Sequence, residues 1–410
     1  MLRIIHTADW HIGQTLAGHD RTHEHRAVLA GLARVCAERE ADALIIAGDV
    51  FDTQNPSGDS QRLFYETLTA LKAARPSMTI VITAGNHDAA GRLEAPRALL
   101  GPSGIHVTGN VQRKDGVVVW QPHVVALTDS RGKVAAHVLA VSYPTVACLP
   151  PLSAFDPAHG STIAAATAAL YAELDGLSRH VTKDHPLIVT GHLHVAGAIE
   201  SEGAERRILV GGEHAVAPDV FPKHAAYVAL GHLHKAQAVG RETVRYCGSL
   251  LPLSATELSY SHGVTLVTLD GAAATIEHIP LVRPVAFLRV PAKGDTRLDE
   301  VGGLLKALDL DASLPPEQHP FVQVCLSREG LSAGFRAALD RIADEFPVRL
   351  VDAKLAPLPA TAAAEHAPVA KLGELRPEDL FERAFTRTHG RPASPEHMAA
   401  FHHALTTIER

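Results

Sequence analysis

The sequence predicts an α/β protein in which helices flank a β-sheet core, followed by a small α+β domain and a C-terminal pair of helices. Two observations lead to this fold class. Short apolar runs rich in β-branched residues alternate with longer segments of helical periodicity through the first 280 residues. Polar side chains then follow five of the apolar runs directly, as at the edge of a sheet where buried strands end.

The five apolar runs are short and stop at a glycine or a polar residue, which is typical of strands covered on both faces. They are LRIIHTA (2–8), ALIIAG (43–48), MTIVITAG (78–85), PLIVTG (186–191) and YVALG (227–231). Residues 22–40 and 60–74 carry apolar side chains at helical spacing, and residues 161–179 are rich in alanine. Strands and helices are therefore predicted to alternate.

Five short motifs at the strand ends predict a site for two metal ions. They are Asp9-Trp10-His11, Gly48-Asp49-Val50-Phe51-Asp52, Gly85-Asn86-His87-Asp88, Gly191-His192 and Gly231-His232-Leu233-His234. On an extended strand end, residues two apart project to the same side, which predicts that His11 joins Asp9 and that His234 joins His232. The glycines before Asp49, Asn86, His192 and His232 are expected to permit tight turns.

Asp49 is the predicted bridge between the metals, because a shared carboxylate offsets the repulsion between two neighbouring cations. The predicted ligands of one metal are completed by Asp9, His11 and His234, and those of the other by Asn86, His192 and His232. Mixed oxygen and imidazole ligands suit manganese, iron or zinc. A single histidine among 26 is more often a surface or core residue, but five such segments in order disfavour that alternative.

The motif order D-x-H, G-D-x-x-D, G-N-H-[DE], G-H, G-H-x-H resembles the calcineurin-like metallophosphoesterase superfamily, whose fold is a β-sandwich flanked by helices. The resemblance implies the same division of ligands. It makes His87 the group that donates a proton to the leaving oxygen or stabilises the charge developing there, with the Asp52 carboxylate orienting His87. An equal alternative for Asp52 is a cap on the following turn.

The segments MLRIIHTADWHIGQTL, AGDVFDT, TAGNHD and YCGSLLPLSATE look like the SbcD family of bacterial nuclease subunits. This resemblance implies a 3′-to-5′ exonuclease on duplex DNA ends and an endonuclease on single strands and hairpins, acting in DNA repair, recombination and replication. It also implies two divalent ions, normally Mn²⁺, and a homodimer within a heterotetramer with an SbcC-type coiled-coil ATPase. This chain itself lacks a G-x-x-x-x-G-K-[ST] motif.

Two further histidines are predicted to lie near the site without binding metal. His194 imitates the G-H-x-H pattern, but the family uses only the first histidine of that segment. His6 lies within a buried strand and is expected to be structural or to support the ligands.

The predicted domains are a phosphoesterase domain at 1–280, a cap domain at 281–355, a linker at 356–371 and a helical segment at 372–410. The cap pattern is β-α-β-α-β, and the resemblance implies that it helps to position DNA. The last segment has an apolar stripe on each of two helices, of which the second begins at Ser394. We expect the pair to dock on the coiled coil of the ATPase, or alternatively on its own chain.

Composition limits the function classes. There are 38 Lys and Arg against 45 Asp and Glu, a net charge of −7, which disfavours tight nucleic-acid binding by this chain alone. Four scattered cysteines and no signal or membrane segment suit a cytoplasmic protein. Two alternatives to a nuclease remain: a small-molecule or phosphoprotein phosphoesterase with the same metals, and a noncatalytic scaffold.

Overall fold

The computed structural model describes residues 1–157, 160–200, 215–332 and 334–356, and in the C-terminal region 381–382, 385–386, 393–394, 397–398 and 401. Met1–Ala356 forms one compact unit, and Pro357–Arg410 belongs to a second. The strands are β1 (Leu2–Thr7), β2 (Ala43–Ala47), β3 (Thr79–Thr83), β4 (Ile105–Thr108), β5 (Arg113–Lys114), β6 (Val117–Val118), β7 (Val124–Thr128), β8 (Val134–Leu139), β9 (Leu187–His192), β10 (Tyr227–Gly231), β11 (Gln237–Val239), β12 (Arg241–Tyr246), β13 (Gly263–Asp270), β14 (Ala273–Pro280), β15 (Phe287–Val290), β16 (Phe321–Leu326) and β17 (Arg349–Leu355). The helices are α1 (Thr22–Glu38), α2 (Gly58–Ala74), α3 (Ala90–Glu94), α4 (Arg97–Leu100), α5 (Thr162–Thr182), α6 (Val301–Lys306) and α7 (Phe335–Ala343).

Two six-stranded sheets form the centre of the first unit. One has the order β14-β13-β1-β2-β3-β4, and the other has the order β11-β12-β10-β9-β8-β7. Strands β1 to β4 are parallel, as are β8, β9 and β10. The five predicted strands correspond to β1, β2, β3, β9 and β10 and are confirmed, and the parallel pairing brings their carboxyl ends together.

The two sheets pack face to face and are covered by helices on their outer faces. Ile4 and Ile45 of the first sheet share a buried core with Val138 and Ile188 of the second. On the outer side of the first sheet, Leu32 of α1 and other apolar side chains of α1 and α2 form a separate buried cluster, and α5 covers the second sheet in the same way. The predicted helices and the predicted sandwich flanked by helices are therefore confirmed.

A three-stranded parallel sheet, β15-β16-β17, follows the sandwich with α6 and α7 packed on it. These elements occur in the predicted β-α-β-α-β order. Phe321 and Phe287 of this small sheet join Leu16 of the sandwich part in a further apolar cluster. This contact places the small sheet beside the segment that follows His11.

The predicted linker beyond Ala356 and most of the predicted helical pair lie outside the described residues. Among the residues that are described there, Phe381 stacks on Phe401 with ring centroids 4.4 Å apart, and Phe385 lies 4.6 Å from the ring of His397. The Met398 amide donates to the Ser394 carbonyl oxygen at 3.1 Å, as in a first helical turn. No helix in the described part of the chain is long and apolar enough to span a membrane.

Candidate metal centre

All seven predicted metal ligands lie on the segments that leave the carboxyl ends of β1, β2, β3, β9 and β10. Because these strands belong to two packed sheets, the segments meet along one edge of the sandwich. The hydrogen bonds between them are direct. The Asp9 amide donates to the Gly48 carbonyl at 3.0 Å, and the His232 amide donates to Asp9 Oδ1 at 2.9 Å.

The predicted extended conformation at these strand ends is wrong for several ligands. Asp9, His11 and Asp49 have φ values of +53°, +46° and +50°, and His232 has a φ of +99°. These are left-handed conformations, which are costly for residues other than glycine and cluster at functional sites. The turns aim the side chains at the sheet edge, and the hydrogen bond from the His11 amide to the Asp49 carbonyl at 3.1 Å helps to hold them.

The glycines that precede the ligands serve mainly to allow close approach. Of the four, only Gly48 has a left-handed φ, at +91°. A Cβ atom on Gly85 would lie 2.1 Å from Asp49 Oδ1, and one on Gly231 would lie 2.1 Å from the Ala47 carbonyl oxygen. The predicted tight turn is therefore correct only at Gly48, and at the other positions the lack of a side chain leaves room for neighbouring segments.

The first group of potential ligand atoms comprises Asp9, His11 and His234, all within 4.8 Å of one another. Both ring nitrogens of His11 are buried and form no hydrogen bond with the described residues, although a carboxylate oxygen lies near each: Asp52 Oδ1 is 3.3 Å from Nδ1 and Asp49 Oδ2 is 3.6 Å from Nε2. Buried polar atoms without partners are rare in folded proteins. The His11 ring nitrogens are the atoms expected to lack hydrogen bonds if a cation binds at this position.

The second group comprises Asp9, Asp49 and His192, again within 4.8 Å. Asp49 Oδ2 lies 3.2 Å from His192 Nε2 and 3.6 Å from His11 Nε2, so one carboxylate oxygen faces both groups. Asn86 Oδ1 lies 3.0 Å from His192 Nε2 and 3.0 Å from His232 Nδ1. This donor set of carboxylate, amide and imidazole atoms fits two first-row divalent cations.

The charges within the site are strongly coupled. Burial raises the pKa of Asp9. Burial also opposes ionisation of Asp49, but the adjacent His192, His11 and His87 more than offset it and hold the pKa of Asp49 below its ordinary value. Burial alone lowers the pKa of His192, but Asp49 raises it to about 9, whereas burial lowers the pKa of His232 to about 3. Without a metal ion, His192 thus carries a proton beside the ionised Asp49, and a cation at this point would take the place of that proton.

His87 lies beside the ligands, with its ring 4.8 Å from that of His11. Its Nδ1 lies 2.7 Å from the main-chain carbonyl oxygen of Asp52, so Nδ1 carries the hydrogen in this contact. The Asp52 carboxylate has Oδ1 3.3 Å from His11 Nδ1. The backbone of Asp52 thus contacts His87, a contact that the sequence did not suggest, while the predicted orienting role of its carboxylate stays a prediction.

Glu257 is a site residue that the sequence did not single out. It is fully buried, its Oε1 lies 2.8 Å from His234 Nδ1, and its Oε2 accepts from the Leu253 amide at 2.8 Å. A carboxylate in this position fixes the ring orientation of a ligand histidine and leaves Nε2 for a metal. The only signal was its place at the end of the segment YCGSLLPLSATE.

Asp88 supports the same edge through the backbone. Its carboxylate accepts from the amides of Val50, Phe51 and Gly85 at 2.8 to 3.1 Å, joining the segments after β2 and β3. Burial raises the pKa of Asp88 to about 6. Asp88 therefore holds together the two segments that carry Asp49 and Asn86.

The two additional histidines occupy different settings. His194 is partly exposed and pairs with Glu200, Nε2 to Oε1 at 3.2 Å. His6 is fully buried, and its Nδ1 lies 2.9 Å from the Tyr227 hydroxyl, which joins β1 of one sheet to β10 of the other. His6 thus has a structural role between the sheets, one of the two roles predicted for it.

Comparison with known proteins adds the family. The model described as calcineurin-like phosphoesterase matches residues 2–236, and a model described as type 5 capsule protein repressor C-terminal domain matches residues 283–389. A relative from Rhodobacter capsulatus, named as the SbcD subunit of the nuclease SbcCD, is 46% identical over 386 residues, which is 94% of both chains. Relatives of the same name from Bacillus subtilis and Escherichia coli K12 are 36% and 32% identical, over 68% and 70% of this chain and 70% and 71% of theirs.

Proposed function

Because the chain belongs to the calcineurin-like phosphoesterase family, as a nuclease subunit of the SbcD type, we propose that it hydrolyses the phosphodiester bonds of DNA at a dimetal site. The proposed activities are 3′-to-5′ exonuclease on duplex ends and endonuclease on single strands and hairpins, in DNA repair, recombination and replication. The position of Asp49 Oδ2 between His11 and His192 is the observation that carries the proposal.

Two Mn²⁺ ions are the proposed cofactors. Asp9, His11, Asp49 and His234 would hold one ion, and Asp49, Asn86, His192 and His232 would hold the other. When bound, such ions activate water near neutral pH and stabilise charge on the reacting phosphate. The donor set supports this proposal, and availability decides among manganese, iron and zinc.

His87 is the proposed proton donor to the leaving oxygen. Its Nδ1 hydrogen points to the Asp52 carbonyl oxygen, so Nε2 is the nitrogen that would exchange a proton with the substrate. The Asp52 carboxylate, 3.3 Å from His11 Nδ1, would hold the neighbouring ligand ring and, as a further proposed role, orient His87. An imidazole is suited to this work because its pKa lies near neutral pH.

The proposed partners are DNA and an SbcC-type ATPase with a coiled coil, in a heterotetramer with two copies of this chain. The net charge of −7 supports this, because a partner would then supply much of the affinity for DNA. The segment 372–410 is the proposed docking element for the ATPase. All four cysteines are buried and free of disulfides, which supports a reducing cytoplasm as the compartment.

The testing experiment compares wild type with His87→Ala and with the exposed control His180→Ala on α5. Cleavage of a blocked DNA hairpin and of a small chromogenic phosphodiester is measured with Mn²⁺. We expect His87→Ala to lower hairpin cleavage by about 100-fold, typical of a lost general acid, with Mn²⁺ binding retained. His180→Ala should be unchanged.

Other outcomes favour the alternatives. Cleavage of the small ester alone, even with the ATPase added, would favour a small-molecule or phosphoprotein phosphoesterase. Cleavage of neither would favour a noncatalytic scaffold. Deletion of residues 357–410 separates the cases further, because a nuclease subunit should then lose binding to the ATPase while a small-molecule enzyme loses nothing.

A further inference from the structure

A cavity of about 400 Å³ lies between the sandwich and the first strand of the small sheet. Its walls come from the segment between β12 and β13, from the end of β14 and from β15. The lining includes Leu250, Tyr260, Leu281, Arg283 and Leu288, and none of the described lining residues is acidic. The proposed reaction at the metal centre does not use this cavity.

Arg283 brings a positive charge to the cavity. Its side chain is half-buried, and it forms no hydrogen bond or ion pair with any described residue. The charged groups that influence it are Glu24 and Arg21, which already pair with each other, Arg21 Nε to Glu24 Oε2 at 2.7 Å. Partial burial of a guanidinium is costly unless an anion accepts its hydrogen bonds, and its planar fork matches a phosphate.

An aromatic ring of the cavity lining, Tyr260, has a second cation near it. Lys235 Nζ lies 5.7 Å from the centroid of the Tyr260 ring, and Lys235 forms no ion pair within the described part of the chain. The nearby acid Glu257 is already committed, with one oxygen on His234 and the other on the Leu253 amide. Arg283 and Lys235 are thus two positive charges near one aromatic ring, and neither pairs with an acid among the described residues.

The cavity lining is connected through the backbone to the segment of the metal centre that carries His234. Lys235 directly follows the ligand His234, and the amide of Ser249 donates to the His234 carbonyl oxygen at 3.1 Å. Leu250, the next residue, lines the cavity. One wall of the cavity therefore lies directly beside the segment that carries His234.

We infer that the cavity binds one unpaired nucleotide of a DNA strand next to the metal centre, with its phosphate on Arg283 and Lys235 and its base against Tyr260. This inference rests on the proposed nuclease function. The volume fits the lower part of the range of about 300 to 1,000 Å³ seen for small-ligand sites. A base can reach such a cavity only when it is unstacked, so the ligand is single-stranded.

The test measures binding of fluorescein-labelled hexathymidylate to the full chain by anisotropy, in EDTA, at several salt concentrations. Arg283→Gln should bind about 10-fold more weakly, because a charge-assisted phosphate contact is lost. The slope of log affinity against log salt should also fall by about 0.7, the value for one phosphate contact on a single strand. Tyr260→Leu should weaken binding by about 10-fold with the slope unchanged, and Tyr260→Phe should restore it, since stacking needs only the ring.

Arg131→Gln is the matched control, because Arg131 is an exposed arginine in the turn between β7 and β8, at the opposite end of β8 from the metal centre. It should change neither affinity nor slope. It should also leave the Mn²⁺-dependent cleavage of the small phosphodiester unchanged, because Arg131 belongs neither to the metal centre nor to the cavity, and the melting temperature of each variant shows that it is folded.

Three results would overturn the inference: no binding by wild type, equal effects of Arg283→Gln and Arg131→Gln, or an unchanged salt slope for Arg283→Gln. The proposed function fails separately. If hexathymidylate binds through Arg283 in EDTA but Mn²⁺ supports no DNA cleavage, the cavity stands and the nuclease proposal falls. If DNA is cleaved while Arg283→Gln binds like wild type, the reverse holds.

Discussion

Replacing Glu257 with glutamine tests how the chain orients the proposed ligand His234. The buried carboxylate contacts His234 Nδ1 through one oxygen and the Leu253 amide through the other, each at 2.8 Å. Burial opposes its ionisation, but the hydrogen bond from His234 outweighs burial and holds the pKa of Glu257 below its ordinary value. Glutamine keeps the size but has only one oxygen, so one of these two contacts is lost.

The expected losses of Mn²⁺ affinity and of folding stability follow from the two contacts of Glu257. Loss of an orienting carboxylate on a ligand histidine typically lowers metal affinity by about 10- to 100-fold. A buried donor left without a partner costs about 1 to 3 kcal/mol of folding free energy. We therefore expect Glu257→Gln to bind Mn²⁺ about 10- to 100-fold more weakly and to lose about 1 to 3 kcal/mol of metal-free stability.

Two assays separate these effects: isothermal titration with Mn²⁺ and urea unfolding without metal. Glu242→Gln is the control, because Glu242 is a solvent-exposed acid on β12 that pairs only with the neighbouring Arg245 among the described residues. It should change neither quantity by much, as expected for a surface pair. Wild-type Mn²⁺ affinity in Glu257→Gln, with reduced stability, would show that Glu257 supports the fold but does not orient His234. Wild-type values in both assays would refute the reasoning entirely.

Two further predictions concern the site backbone and acid stability. Gly85→Ala should reduce Mn²⁺ affinity by more than about 10-fold in the same titration. The alanine Cβ would lie 2.1 Å from Asp49 Oδ1, and such overpacking displaces the neighbouring side chain. An unchanged Mn²⁺ affinity would contradict the close approach of Gly85 to Asp49. Burial lowers the pKa values of His6, His25 and His262 to about 3, 4 and 4. As pH falls below about 6.5, these histidines become protonated in the unfolded chain but stay neutral in the folded chain, so the folded state loses stability. Each of the three histidines should lower the free energy of unfolding by about 2 kcal/mol at pH 5 relative to pH 7, measured by urea unfolding of the metal-free protein. Equal stability at pH 5 and pH 7 would contradict the neutral state of these buried histidines.

The strands and the ligand residues were predictable because their signals are local. A short run of β-branched residues that stops at glycine identifies a buried strand without any knowledge of its partners. Parallel pairing then brings the strand ends together, so Asp49 and His192 meet although they are far apart in sequence. The resemblance of the motif order to a known superfamily supplied the role proposed for His87.

The backbone conformation and the supporting residues were not predictable because they depend on contacts distant in sequence. The left-handed turns at Asp9 and His11 are held by the segment after β2, and no local pattern specifies such turns for aspartate or histidine. Glu257 lies 23 residues after His234 and follows no periodic pattern. Its role is visible only once the loop folds back onto the metal centre.

The small sheet is attached to the segment between His11 and α1 through the Phe321 ring, which lies between two arginine side chains. Arg349 lies 3.7 Å from the centroid of the Phe321 ring, and Arg21 lies 5.7 Å from it. Arg349 also donates to the Asp20 carbonyl oxygen at 3.1 Å. The segment between His11 and α1 is thus held directly by side chains of the small sheet, at a cation–π strength of up to about 2 kcal/mol when desolvated.

From Arg21 the contacts continue without interruption to the proposed metal ligand His234. Arg21 donates to Gln14 Oε1 at 2.6 Å, and Gln14 Nε2 donates to the Leu253 carbonyl oxygen at 2.9 Å. The Leu253 amide donates to Glu257, which contacts His234. Leaving a buried member of such a hydrogen-bonded network unpaired is costly, which favours movement of its members together. We therefore expect a shift of the small sheet, the predicted cap over DNA, to alter the position of His234, so that the orientation of this proposed ligand depends on both parts of the unit.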